Sequence, residues 1–166
     1  MKTVFAILGV SLLAMLSGCA SPPRTSVATA AVGPNPIAPR NASSRGGLEV
    51  FSRLATRTDD QNQESTDEVW VQPTDYYLCD TGGRVMKHVS NAVGHYSSEP
   101  RTVSLPAGRY LIAAQASPNF WVKVPVTVKS GEITRVHLDG HWAPPAYADK
   151  SQVVALPDGR PIGWKL

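Results

Sequence analysis

One cysteine near the start of the chain has the surroundings of a modification site. Cys19 follows Leu16-Ser17-Gly18, at the end of an uncharged apolar run from Val4 to Leu16. The run is 13 residues long, whereas a helix needs roughly 20 apolar residues to cross a bilayer, so its length is typical of the apolar region of a signal peptide. Small residues at positions 17 and 18 can enter a peptidase cleft, and the thiol that follows is a nucleophile that can be joined to lipid.

Residues 1–19 resemble the signal peptides of bacterial lipoproteins, because Leu16-Ser17-Gly18-Cys19 matches their lipobox without departure. The resemblance implies cleavage before Cys19 and acyl chains on Cys19. A single chain holds a protein only marginally, whereas two or three make a stable anchor. In the enterobacterial pattern an aspartate after the cysteine implies retention in the inner membrane, and this chain has Ala20 there. We expect an outer-membrane protein that is lipid-anchored through Cys19 and faces the periplasm.

Charge and cysteine content restrict the class of protein further. The chain has 16 basic and 13 acidic residues, with no basic stripe and no interleaved aromatics, so nucleic acid is excluded as a partner. Cys79 is the one cysteine beyond Cys19, which excludes an intramolecular disulfide once Cys19 carries lipid. We predict that Cys79 is a small buried residue on a strand. An intermolecular disulfide is the alternative.

The chain divides into four predicted parts. Residues 1–18 are the signal peptide, and residues 19–46, rich in Pro, Ala and Ser, are predicted to form a disordered tether with an average reach of about 30 Å. Residues 47–140 are predicted to form a β-sandwich. Residues 141–166 are a C-terminal extension with a hairpin around Pro157-Asp158-Gly159, because Asp-Gly between apolar flanks is a strong turn signal.

Alternation with a period of two predicts an all-β fold for the central part. Val122, Val124, Val126 and Val128 fall on one face of a predicted strand, and Pro125 on the opposite face predicts that this strand is bulged or lies at a sheet edge. About seven short strands indicate an antiparallel sandwich that is Ig-like or prealbumin-like. The predicted strands are Leu48–Leu54, Val69–Gln72, Tyr76–Asp80, Arg84–Ser90, Thr102–Leu105, Arg109–Ala116, Trp121–Lys129 and Glu132–Leu138.

Within this region three segments are similar to a known group. Ser104 to Tyr110, Val124 to Val128 and Gly131 to Leu138 resemble the carboxypeptidase-regulatory-like and transthyretin-like β-sandwich domains. The resemblance implies the fold and no catalytic residue. Tyr110, four residues after Pro106, is placed to bury its ring while its hydroxyl bonds upstream backbone, as in a tyrosine corner.

Two other groups of side chains could bind a metal ion, but their spacing does not match that of the metal sites they would form. Asp59, Asp60, Glu64, Asp67 and Glu68 have the oxygen ligands that calcium prefers. An EF-hand that begins at Asp60 would need Gly at position 65 and Glu at position 71, where this chain has Ser65 and Val71. A solvated loop is favoured for this acidic stretch.

The four histidines are His88, His95, His137 and His141, and only the last two lie close together, beside Asp139. Catalytic zinc normally has three protein ligands, which two histidines alone do not supply. We predict no catalytic residue, no metal site and no cofactor.

Aromatic side chains are the remaining candidates for a binding site. Trp121 lies on the face opposite the valine row, and Trp70 and Tyr77 lie in or beside predicted loops. Such rings can stack on sugars, or they can simply cover a sheet face.

Three functions remain open at this point. The favoured one is a non-enzymatic envelope lipoprotein whose sandwich contacts an envelope protein or has a structural role. The first alternative is a glycan or peptidoglycan binder that uses the exposed aromatics. The second is an enzyme with an unrecognised site.

Overall fold

A computed structural model describes residues 24–38, 43–58, 69–94 and 96–166. Strands occur in all four segments, and the one helix among them is a 3-10 turn at Lys150–Gln152, so the all-β prediction is confirmed. None of the helical structure in these segments has the length and apolarity to cross a membrane. The strands are β1 (Arg24–Val27), β2 (Val32–Gly33), β3 (Arg45–Phe51), β4 (Leu54–Thr58), β5 (Val69–Pro73), β6 (Tyr76–Cys79), β7 (Val85–Val89), β8 (Val103–Pro106), β9 (Gly108–Ser117), β10 (Phe120–Val128), β11 (Ile133–His137), β12 (Val153–Ala155) and β13 (Pro161–Lys165).

Two sheets enclose a shared core in a sandwich-like arrangement. The main sheet has the order β12-β13-β2-β10-β9-β6-β7, with β1 also paired to β10, and the second sheet has the order β11-β3-β8. A bridge between Pro34 and Thr134 joins the two sheets at one side. The predicted valine row faces this core, since Val122 and Val124 are 0 % exposed and Val126 and Val128 are 1 % exposed.

The prediction of an antiparallel sandwich of about seven strands plus a C-terminal hairpin is confirmed as an all-β, sandwich-like fold, but the number and the direction of the strands need correction. The described residues contain thirteen strands. Three pairs are parallel, namely β1 with β10, β2 with β10 and β3 with β11. Each parallel pair joins strands that are distant in the sequence, as parallel pairing requires, and alternation within one strand says nothing about the direction of its neighbour.

The structure also corrects the prediction of a disordered tether for the described part of residues 19–46. There β1 pairs with β10, with Thr25 opposite Trp121, and β2 lies between β10 and β13. Ala28 is 2 % and Val32 is 0 % exposed, and β3 already begins at Arg45. The segment contains too few apolar residues to show a period. Backbone pairing with a distant strand holds it in the fold.

Strand β10 lies inside the main sheet, but at Pro125 the side away from β9 has no paired strand, so the sheet has a local edge where the proline predicts one. Strand β10 has β9 on one side and both β1 and β2 on the other. Residues 120–123 pair with β1, and Val126 pairs with β2. Neither strand therefore lies opposite Pro125. Proline has no N–H to donate. The gap between β1 and β2 along β10 therefore falls where Pro125 could not donate a sheet hydrogen bond.

Two local predictions are confirmed. The Tyr110 hydroxyl donates a hydrogen bond to the Pro106 carbonyl oxygen at 3.0 Å, as a tyrosine corner requires. The C-terminal hairpin consists of β12 and β13, with Gly159 in the left-handed region at φ 86°. Strand β13 pairs with β2, so the C-terminal hairpin is part of the main sheet.

The pair β4–β5 connects the two sheets, and a buried asparagine holds both ends of this connection. Asn91 is 0 % exposed. Its Nδ2 donates to the Val50 carbonyl oxygen at 2.8 Å and to Ser52 Oγ at 3.1 Å. Ser52 Oγ donates in turn to the Thr74 carbonyl oxygen at 2.6 Å. Val50 lies near the end of β3, Ser52 directly follows this strand, and Thr74 precedes β6. The network therefore connects the end of a strand in one sheet to the start of a strand in the other.

Candidate binding surface

The outer face of the main sheet, the side away from the core, carries two of the three predicted site residues. Tyr77 on β6 and Trp121 on β10 have ring centroids 6.1 Å apart, with 30° between the ring planes. The small residue Ala113 on β9 lies between these strands, opposite both Tyr77 and Lys123. Tyr77 is 39 % exposed and Trp121 is half-buried. We call Tyr77 and Trp121 the aromatic pair.

Polar groups flank the aromatic pair on both sides. The His88 ring lies 5.1 Å from the Tyr77 ring, and His88 Nε2 is 3.6 Å from Asp75 Oδ2. On the other side Lys123 is exposed. The aromatic pair therefore presents apolar ring faces between a cation and a histidine–carboxylate contact.

Trp70 lies elsewhere. It belongs to β5, in the separate two-stranded sheet, and its ring meets the Tyr96 ring edge-on at 5.2 Å. Its Nε1–H is buried without an acceptor in the described part of the chain. The structure thus brings together Tyr77 and Trp121 and separates Trp70 from them.

A groove lies farther along the same outer face, beyond Pro125. It has a volume of about 460 Å³. It lies where the chain between β1 and β2 is not paired with β10. Its walls are mostly apolar, and Arg109 and Lys165 lie at its rim, both exposed. Neither cation forms an ion pair with any acidic residue that the structure describes. The groove is lined by Ala30, Ala31, Thr81, Arg109, Tyr110, Leu111, Pro125, Val126, Thr127, Lys165 and Leu166.

Sequence reasoning missed the groove because its residues come from five separate parts of the chain. Only the interruption at Pro125 was visible as a local anomaly. One polar atom in the wall is notable, because Thr127 Oγ1 is buried and has no hydrogen-bond partner among the described residues. An unpaired buried hydroxyl costs free energy.

The two neighbouring histidines have separate structural partners. The His137 ring is stacked between Phe51, at 4.4 Å, and Trp142, at 5.1 Å, and burial lowers the pKa of His137 to about 4. His141 Nδ1 lies 3.2 Å from Asp139 Oδ2. Across the described ranges no three His, Cys, Asp or Glu side chains converge as metal ligands.

Cys79 lies on β6 and is 3 % exposed, which confirms the prediction of a small buried residue on a strand. Burial raises the pKa of its thiol, and the nearby Lys123 offsets this in part. A protonated, buried thiol is a poor nucleophile and a poor partner for an intermolecular disulfide.

Several predicted features lie outside the described residues. They are the signal peptide, the lipobox and lipidation site Cys19, the acidic cluster between Asp59 and Glu68, and His95. Comparisons of the chain with protein-family models, with curated proteins and with solved structures find no match.

Proposed function

We propose that this chain is a lipid-anchored envelope protein whose β-sandwich binds another envelope protein without catalysing a reaction. Lipid on Cys19 would anchor it in the outer membrane, facing the periplasm. The lipobox supports the anchor. The groove supports the binding role, because its cations Arg109 and Lys165 form no ion pair with the acidic residues in the described part of the chain.

The groove suits an acidic segment of a partner that carries an apolar side chain. Leu111, Pro125 and Ala31 offer apolar surface, and burial of such surface contributes about 25 cal/mol per Å². Arg109 and Lys165 at the rim would attract and orient carboxylates, since complementary charge sets specificity and the rate of association. Apolar walls with a few polar groups are typical of binding pockets.

Site-specific photo-crosslinking in the envelope tests this proposal. A photoreactive residue at Thr81, which is exposed and lines the groove, is expected to form an adduct with an envelope protein. The matched control carries the same residue at Tyr147, which is 78 % exposed and does not line the groove. Arg109→Glu is expected to abolish the adduct at position 81. If the adducts at positions 81 and 147 are the same, the groove is not the binding site.

Glycan binding is the second candidate, and the aromatic pair favours it because ring faces on a sheet can stack on a sugar. Sedimentation with purified peptidoglycan sacculi tests it. Trp121→Ala would lower the bound fraction severalfold, whereas Trp70→Ala, in the separate sheet, would leave it unchanged. Equal binding by wild type and Trp121→Ala would remove the aromatic pair from this role.

A further inference from the structure

We infer that the part of the outer face nearest the start of β1 rests on the lipid bilayer, with Tyr77 and Trp121 at the level of the lipid headgroups. This inference rests on the proposed lipid anchor at Cys19. It gives the aromatic pair a partner other than a glycan, and it leaves the groove, farther along the sheet, free for a protein.

The length of chain between the anchor and the fold is the first argument. Arg24, the first residue of β1, is five positions after Cys19. A fully extended chain spans at most about 3.6 Å per residue, so the start of β1 lies within about 18 Å of the acylated residue. The sandwich therefore stays at the membrane surface.

Strand pairing determines which residues lie at this end of the sandwich. Arg24 pairs with Phe120 and Thr25 with Trp121, so the turn between β9 and β10, with the exposed Asn119, is next to the anchored end. Farther into the outer face, Val27 lies opposite Lys123 and is 55 % exposed.

The chemistry of this surface fits a bilayer interface. Tryptophan and tyrosine favour the headgroup region because their rings are apolar and their N–H or O–H group remains polar. Lys123 adds a positive charge, which anionic headgroups attract. Val27 supplies exposed apolar area beside the aromatic pair. The same surface could hold a glycan, and the test below distinguishes the two partners.

Spin labels on the acylated full-length protein test the inference. The protein would be reconstituted in vesicles of phosphatidylethanolamine with a minor fraction of phosphatidylglycerol. One label replaces Asn119, beside the anchored end, and the control label replaces the exposed Ser130, just after the other end of β10. Cys79 is 3 % exposed and does not compete for the label.

We expect the label at position 119 to collide more with oxygen, which concentrates in lipid, than with a water-soluble nickel chelate. The label at position 130 should show the reverse. Trp121→Ala combined with Tyr77→Ala should lower the oxygen-to-nickel collision ratio at position 119 severalfold. Val85→Ala, on the exposed edge strand β7 and 56 % exposed in the parent protein, should leave it unchanged.

The possible failures separate the two proposals. Intact mass, measured before reconstitution, shows whether Cys19 is acylated. Without acylation the anchor is wrong, and the bilayer inference falls with it. With acylation and water-exposed labels at both positions, the anchor stands and the bilayer inference is overturned. Binding to sacculi that depends on Trp121, together with a water-exposed label at position 119, would assign the aromatic pair to a glycan and also overturn it.

Discussion

Truncation of one buried valine tests whether the segment before residue 47 belongs to the folded domain. Val32 is 0 % exposed and pairs with Val126 of β10 on one side and with Lys165 of β13 on the other. It packs so closely against β13 that a Cβ atom on Gly163 would lie 2.6 Å from Val32 Cγ1. We therefore expect Val32→Ala to destabilise the protein.

The magnitude follows from the two methyl groups that Val32→Ala effectively removes. Each buried methylene-sized group contributes about 0.8 kcal/mol, and the cavity left in a close-packed core adds to the cost. The free energy of unfolding should fall by about 2 kcal/mol. For a domain of this size such a loss lowers the Tm by roughly 8 °C.

Urea denaturation of wild type and variant measures this loss directly. Val27→Ala is the matched control, because Val27 precedes Val32 in the same segment and is 55 % exposed. Its effect should stay within about 0.5 kcal/mol. If the two variants lost the same small free energy, the segment would be a tether after all and our account of β1 and β2 would be refuted.

Three further predictions concern the framework of the fold. Asn91→Ala should cost about 2 kcal/mol of unfolding free energy, because buried backbone carbonyls lose their donor, whereas the exposed Asn119→Ala should be neutral in the same urea titration. Tyr110→Phe should cost about 1 kcal/mol, measured as a shift in the urea midpoint, because its hydroxyl no longer donates to the Pro106 carbonyl oxygen; no shift would contradict the tyrosine corner. His137 has a folded pKa of about 4, below the unfolded value of 6.5, so the unfolded chain binds a proton first and stability should fall as pH decreases from about 6.5 to about 4. An NMR titration of the His137 ring with a midpoint near the unfolded value would contradict this.

Local patterns predicted those elements whose partners are close in the sequence. The valine row of β10 follows from alternation within a single strand, and the hairpin β12–β13 follows from the turn at Asp158-Gly159. The tyrosine corner needs only Pro106 and Tyr110. In each of these cases the interactions that decide the structure span a few residues, so the sequence states them directly.

Long-range pairing explains what could not be predicted. Strands β1 and β2 are held by β10, and the sparse apolar residues there, such as Val32, show no period. Trp70 and Tyr77 lie near each other in the sequence, yet the chain passes from β5 to β6 between them and changes sheets. The groove depends on the same kind of assembly, since Arg109 and Lys165 line one groove only after β13 joins the main sheet.

A measurement of Cys19 acylation is the most direct test of the central claim. Both the proposed location in the outer membrane and the short distance between the anchor and the sandwich depend on it. The chain would be expressed in a bacterial host with labelled palmitate, with and without globomycin, which blocks the lipoprotein signal peptidase. Our account predicts label in the protein, a precursor of larger size under globomycin, and loss of both effects in Cys19→Ser. An unlabelled protein whose size does not change under globomycin would contradict it.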